Sequence, residues 1–235
     1  MNNYALDKQY YNVIFISRAY FIIKNNKKNK GEFIMSKIKT KEFEVFTYAE
    51  LSDKAKEVVK QDYLEWNRDA DIFKEEVEET ILSEYGLNNL ETAFSLGYSQ
   101  GDGLCLYGEI SFEELLGDKF KDIAFKGFTN CEMKIFKRLY AEYAGRIDFK
   151  KNNHHYNFAS TVNIDVDYYC NIPRLERLFD KVIEKLIDNV QEWYYDECRK
   201  FESAGYDWFY EASDEEVAEW ADSNEYEFLS NGQIF

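Results

Sequence analysis

Apolar residues recur along this chain with two different periods. In "DIFKEEVEETILSEY", residues 71–85, Phe73, Val77, Ile81 and Tyr85 stand four apart with acids between them, and Leu82 lies beside them. That is the spacing of one helix face, and Gly86 follows where a left-handed C-terminal cap is needed. Residues 43–51, "FEVFTYAEL", read as a strand leading into another helix. Ser52 or Asp53 caps that helix, and Ala55, Val58, Val59 and Trp66 form a partial stripe after Leu51. A third helix is predicted over 131–144, with Asn130 as cap and Gly145 as stop. The longest periodic run covers 171–201, with Pro173 in its first turn and Gly205 just past its end. Leu175, Leu178, Phe179, Val182, Leu186, Val190, Trp193 and Phe201 follow its period. About 30 residues of helix extend roughly 45 Å, enough to span a sheet. "SDEE", Ser213 to Glu216, matches a capping box and opens a last helix through Trp220.

Elsewhere the period is two. Phe94, Leu96 and Tyr98 alternate with Ser95, Gly97 and Ser99; after "QGDG", Leu104 and Leu106 alternate with Cys105 and Tyr107. This is a β-hairpin, and Gly101-Asp102-Gly103 suits a turn that needs positive φ. A second hairpin has Ile147 and Phe149 on one arm and a "KNN" turn, with a second arm from 154 to 168. On that arm Phe158, Val162, Ile164, Val166 and Tyr168 share one face. "YEFLSNGQIF" reads as an end strand with an Asn-Gly turn. The expected fold is α+β: an antiparallel sheet of two hairpins plus edge strands, packed against helices that include one long one.

Two polar groupings are candidates for chemistry. The first is the hairpin tip, with Ser95, Ser99, Gln100 and Asp102 as possible ligand contacts. Turn formation accounts for the glycines, but not for the row Ser95, Gly97, Ser99, whose small side chains allow another backbone or a ligand to come close. The glycine spacing matches neither a dinucleotide fingerprint nor a Walker loop. The second is the polar face of the 154–168 arm: His155, Asn157, Thr161, Asn163, Asp165 and Asp167. In an extended strand His155 and Asp167 lie roughly 40 Å apart, too far for one catalytic centre. Asp165 and Asp167 have the chemistry to hold a hard cation, but solvated strand acids are far commoner.

Composition narrows the function classes. Four cysteines without a CxxC spacing, and only two histidines, leave no zinc pattern. They read as reduced thiols in a cytoplasm. No metal, cofactor or catalytic constellation is predicted. The net charge of −16 argues against direct contact with nucleic acid or an anionic membrane, and favours solubility or a basic partner. Residues 192–227 concentrate that charge, with thirteen Asp/Glu against two Lys/Arg. Tyr206, Trp208, Tyr210 and other aromatics stand among them as potential interface anchors. Glu211, Asp214, Glu215, Glu219 and Asp222 are the candidate partner-binding acids, because spaced carboxylates can imitate a phosphate backbone.

Residues 1–34 stand apart from the rest. The apolar stretch 10–23 is interrupted by Asn12 and Arg18, is too short to span a bilayer, and precedes its lysine cluster instead of following it. Gly31-Glu32 can be encoded by GGAGAA, a ribosome-binding sequence at a suitable distance before Met35. The expectation is that Met35 is the start, that 1–34 is a non-native or disordered extension, the rival reading being an amphipathic leader or membrane anchor, and that 35–235 is a single α+β domain with an acidic, aromatic-rich C-terminal region.

Three segments, "FTYAELSDKAKEVVKQDY", "FSLGYSQGDGLCLYGEI" and "EYEFLSNGQIF", together resemble an uncharacterised family of phage and prophage proteins. That family combines an "ELS-x-x-AK" helix, an "SQGDG" hairpin, a histidine-containing middle region and a "YxF-x-x-[ND]G" tail. Its members are sometimes labelled antitoxins of toxin–antitoxin systems. Here "HHYNF" replaces a His-Ser-Gly-like segment, which argues against a role for His154 or His155. The resemblance implies a mobile-element protein in a bacterial host. The leading expectation is a non-enzymatic, cytoplasmic binding protein that inhibits or regulates a basic or nucleic-acid-binding protein of host or phage, by nucleic-acid mimicry in one form. The alternatives are an antitoxin with a cognate toxin, and a small-ligand binder or enzyme using the hairpin.

Overall fold

A computed structural model describes residues 10–14, 40–143, 145–152, 156–168 and 173–235. Met35, the histidine pair 154–155 and Cys170 lie outside them, so the start-site and histidine expectations fall there too. In chain order the elements are β1 (Tyr10–Ile14), β2 (Thr40–Glu44), α1 (Asp53–Asn67), α2 (Ala70–Tyr85), β3 (Leu90–Ser95) and β4 (Gly103–Ser111). There follow α3 (Phe112–Leu115), α4 (Lys121–Ala124), α5 (Asn130–Glu142), β5 (Arg146–Lys151), β6 (Val162–Asp167), α6 (Pro173–Tyr210) and α7 (Asp214–Ser223). The protein is α+β, and its contacts group it into two compact units. One comprises Met1–Glu65 with Ala212–Phe235, the other Trp66–Glu211.

The Trp66–Glu211 unit is built on a four-stranded antiparallel sheet in the order β3-β4-β5-β6. It is two hairpins side by side, joined at Gly108↔Phe149 through Ser111↔Arg146. One face carries Leu104, Leu106, Ile110, Ile147, Phe149 and Ile164, all buried, as the alternation requires. In the same core lie Phe179, Val182, Leu186, Val190 and Tyr194 of α6, which recur at helical spacing. The Tyr194 hydroxyl donates to the Leu106 carbonyl (3.1 Å), so even this fully buried phenol has a partner. α2 buries Phe73, Val77 and Ile81 as the period predicts, and Gly86 caps it at φ 72°. Its Glu78 accepts the Thr92 N–H of β3 (2.7 Å), which occupies a donor on a sheet edge.

Several boundaries differ from the sequence expectation, each for a local reason. α6 does not stop before Gly205 but runs through it to Tyr210. A Cβ at Gly205 would lie 2.3 Å from Leu96 Cδ1 and 3.0 Å from Phe73 Cζ, so that glycine marks a close approach and not a helix end. Leu178, read into the buried stripe, faces solvent, as does Trp66 of α1, where Tyr63 is buried instead. α5 is capped by Thr129 in place of Asn130: Thr129 and Glu132 form a reciprocal capping box, which satisfies two free amides. Lys185 joins that box at Glu132 (3.1 Å). The Thr129 N–H and then Lys185 hold the Glu132 carboxyl down to about 2. The second arm of hairpin two is shorter than predicted. It begins at Val162 after a 3-10 turn at Ala159–Thr161, and Phe158 is exposed, stacked on Tyr156.

The other unit buries Tyr48, Leu51, Ala55, Val59 and Tyr63 against Val217, Ala221 and Phe228. The predicted strands at 43–51 and 226–235 meet one another here through a single bridge, Phe46↔Phe228, while Phe228↔Ile234 folds the second segment on itself, and neither is part of the four-stranded sheet. β1 and β2 pair as a separate antiparallel ribbon. The Ala55 N–H donates to Ser52 Oγ (3.3 Å), which identifies the cap of α1. α7 opens on Ser213, whose Oγ accepts the Glu216 N–H (3.1 Å). The Glu216 carboxylate accepts the Tyr63 hydroxyl (2.7 Å).

Candidate functional site

The connection between β3 and β4 is a seven-residue loop, 96–102, and not the tight turn that strict alternation implies. Asp102 closes it from inside. Its Oδ1 accepts the Ser95 hydroxyl (2.9 Å), and its Oδ2 accepts the backbone N–H of Gly97 and of Ser99 (both 2.6 Å). The Asp102 N–H in turn donates to the Ser99 carbonyl (3.2 Å). These bonds, led by the Ser99 amide, hold the Asp102 carboxyl below the ordinary Asp range, as expected of a carboxylate that accepts several donors. The expected row Ser95, Gly97, Ser99 is therefore not a strand face open to a ligand. Only Ser95 is in the strand, and all three residues donate inward to Asp102. Gln100 is exposed beside them, and Gly101 completes the turn at φ 110°.

What the loop presents outward is Tyr98. Its φ is 55°, a left-handed conformation that costs a bulky L-residue roughly 1–2 kcal/mol. The residue is 73% exposed, and its ring packs against two others, Tyr206 and Tyr210 of α6, with centroids 4.7 Å away in each case. Tyr206 and Tyr210 are one helical turn apart and stack on each other at 6.1 Å. The Tyr210 hydroxyl donates to the Leu96 carbonyl (2.6 Å), tying the end of α6 to the loop. The absent side chain at Gly205 permits this approach. On the other side of the loop stand the stacked rings of Tyr156 and Phe158, both exposed. A Cβ on Gly101 would lie 2.7 Å from the Tyr156 ring. The sequence marks Tyr206 and Tyr210 as interface anchors, but places Tyr98 in strand alternation; a tyrosine between Gly97 and Ser99 was the available signal.

The candidate acids fare differently. Asp214 is engaged within its own unit, by Lys60 (2.8 Å) and the Tyr48 hydroxyl (3.1 Å), and these partners in that order hold its carboxyl below the ordinary range. Glu215, Glu219 and Asp222 are exposed, four and three residues apart along one side of α7. Glu211 is exposed as the last residue of the Trp66–Glu211 unit.

The polar face of β6 carries Asn163, Asp165 and Asp167; Asn157 and Thr161 precede the strand. Its acids are bound into a charge lattice: Asp167 meets Arg146 (3.5 Å), and Arg146 also meets Glu109 (3.2 Å) and the buried Asp148 (2.8 Å). Lys150 binds Asp148 from its other side (2.8 Å). Asp165 accepts the Val166 N–H (2.9 Å). Among the described residues no group of three or more His, Cys, Asp or Glu is placed to hold a metal ion. No helix among them is long and apolar enough to cross a membrane. Of the thiols, Cys105 and Cys198 are buried and Cys131 is exposed. Burial pushes the Cys198 thiol up to about 12, which removes it as a nucleophile near neutral pH.

The chain matches no family model, and neither a curated protein nor a solved structure matches it.

Proposed function

We propose that the chain is an acidic, non-enzymatic binding protein of a phage or related mobile element, which inhibits or regulates a basic protein in the cytoplasm of its bacterial host. Its contact surface is the tyrosine face of the 96–102 loop. The observation that carries this reading is Tyr98: a large ring in a costly backbone conformation, locked by Asp102 and displayed to solvent on two further tyrosines. Strain of this kind persists where the surroundings over-determine it, and it clusters at functional positions. Exposed tyrosines give rigid contact area with an apolar body and a polar tip, the composition of interface hot spots. The net charge of −16 favours a basic partner. Asp102, Ser95 and the Gly97 and Ser99 amides are satisfied by one another, which favours a surface that binds with its rings over a pocket that binds with those polar groups.

The test is capture of partners from bacterial lysate by the tagged full chain, with nuclease present, in parallel with Tyr98→Ala. Tyr98 is exposed, so the variant is expected to fold as the parent does, which circular dichroism checks. The reading expects one stoichiometric basic protein with the parent chain and at least a tenfold loss with the variant. Equal recovery by both removes the loop as the contact surface. The antitoxin form of the proposal takes a cognate toxin as this partner; rescue of growth on co-expression with a neighbouring small gene would single it out.

A further inference from the structure

We infer that the tyrosine face receives an arginine side chain of a basic protein partner, its guanidinium laid flat against the Tyr98 ring with carboxylates at the margin. This inference rests on the proposal that the face is the contact surface. It follows from what surrounds the rings. Glu202, Tyr206 and Tyr210 stand at i, i+4 and i+8 on α6, so one helix face carries a carboxylate followed by two rings. Asp102 closes the other side of the Tyr98 segment and remains ionised because its loop amides favour the charged form. Both carboxylates act on the Tyr206 hydroxyl, which burial first and then these charges push above its usual range. Electron-rich ring faces with one carboxylate in the same loop and another one helical turn before them make a site for a cation.

The chemistry selects among cations. Asp102 already accepts three donors of its own loop, so most of its hydrogen-bonding capacity is spent and it acts chiefly through its charge. The contact then comes mainly from stacking, with Glu202 the carboxylate freer to accept N–H donors. A guanidinium is planar, weakly hydrated and able to stack and donate at once, whereas an ammonium is a compact, strongly hydrated charge. The chain shows the same pairing internally, where the Arg68 guanidinium lies 4.3 Å from the centre of the Trp208 ring. Nucleobases also stack on tyrosine, but their phosphates would meet a chain of net charge −16.

The experiment is a titration of the 15N-labelled full chain at 150 mM salt with hexa-arginine, hexa-lysine and a six-residue oligothymidylate, followed by NMR. Tyr98→Ala and Tyr98→Phe are titrated alongside. The expected result is saturable shifts confined to 97–102 and 202–210 with hexa-arginine, a response about fivefold weaker with hexa-lysine and none with the oligonucleotide. Tyr98→Ala weakens the arginine response about fivefold and Tyr98→Phe keeps it, because the ring face and not the hydroxyl makes the contact. Equal responses to both cationic peptides, shifts at α7 without shifts at the loop, or a Tyr98→Ala variant that binds hexa-arginine like the parent would each overturn the inference. If Tyr98→Ala loses the lysate partner while hexa-arginine leaves the loop unmoved, the surface stands and the arginine assignment falls. If hexa-arginine binds at the loop while Tyr98→Ala captures the partner in full, the arginine site stands and the proposed function falls.

Discussion

At the scale of single residues, the surface depends on how Asp102 distributes its two oxygens. A carboxylate accepts at both; an amide accepts at one and presents N–H at the other. Asp102→Asn could still serve all three partners, its oxygen at the two amides and its NH2 at the Ser95 hydroxyl, which turns to accept; Asp102→Ala instead leaves all three donors without their acceptor. With that restraint gone, Tyr98 is expected to leave its left-handed conformation and its place against Tyr206 and Tyr210. Faster proteolytic nicking within 96–102 and faster amide exchange at Gly97 and Ser99 would report it, with little change in global unfolding. The pH dependence has a definite sign. The folded-state pKa of Asp102 is lowered, so its contribution is fully present above the unfolded Asp value of about 4 and is lost as pH falls through the folded one. The parent loop should thus stay closed at neutral pH and loosen below about pH 4, while Asp102→Ala is loose throughout and shows no such transition. Exchange rates at Gly97 that rise equally in both proteins on acidification would assign the loosening to other groups.

At the scale of elements, the end of α6 is the test of why the loop and the helix meet. Replacing a helical glycine by alanine usually stabilises by up to about 1 kcal/mol. At Gly205 the new Cβ would sit 2.3 Å from Leu96 Cδ1 and 3.0 Å from Phe73 Cζ, and both side chains are buried among core neighbours that they would have to displace. Overpacking of this kind costs about 1–3 kcal/mol, so Gly205→Ala is expected to destabilise despite helix propensity. Chemical denaturation gives the sign, and a more stable variant would show that the helix end is free to shift. The same glycine shows what was legible in the sequence. The period-four and period-two runs identify α2, α6 and both hairpins, because burying one face leaves a repeat that local order preserves. Gly205 misleads because a glycine that permits close approach and one that ends a helix look alike until the neighbour is known. Tyr98 misleads likewise: it keeps strand alternation, yet its conformation is set by Asp102 and its stacking by residues of a distant helix. The polar members of the candidate site, Ser95, Ser99 and Asp102, were legible as a cluster, whereas their inward role was not, since it depends on a loop closed by backbone amides.

At the scale of the whole molecule, charge and contact act on different rates. A net charge of −16 creates a field whose reach is cut to about 8 Å at physiological salt, so it draws a basic partner from a distance only while salt is low. Once the partner is docked, its residence depends on close packing, which salt screens much less. The exposed acids Glu211, Glu215, Glu219 and Asp222 belong to the first effect and Tyr98 to the second, so their substitution should separate kinetically. Changing the four acids to glutamine and asparagine is expected to lower the association rate by about tenfold at low salt, to flatten its salt dependence, and to leave dissociation unchanged. Tyr98→Ala is expected to do the reverse, with faster dissociation at every salt concentration and nearly normal association. Surface-plasmon measurements on the captured partner between low and high salt distinguish the two. If the acid substitutions also speed dissociation, those carboxylates touch the partner, and the exposed side of α7 carries the phosphate-like contact expected from the sequence. Unchanged dissociation in the acid variant, together with fast release from Tyr98→Ala, would instead locate specificity in three tyrosine rings and leave the rest of the acidic surface to govern encounter.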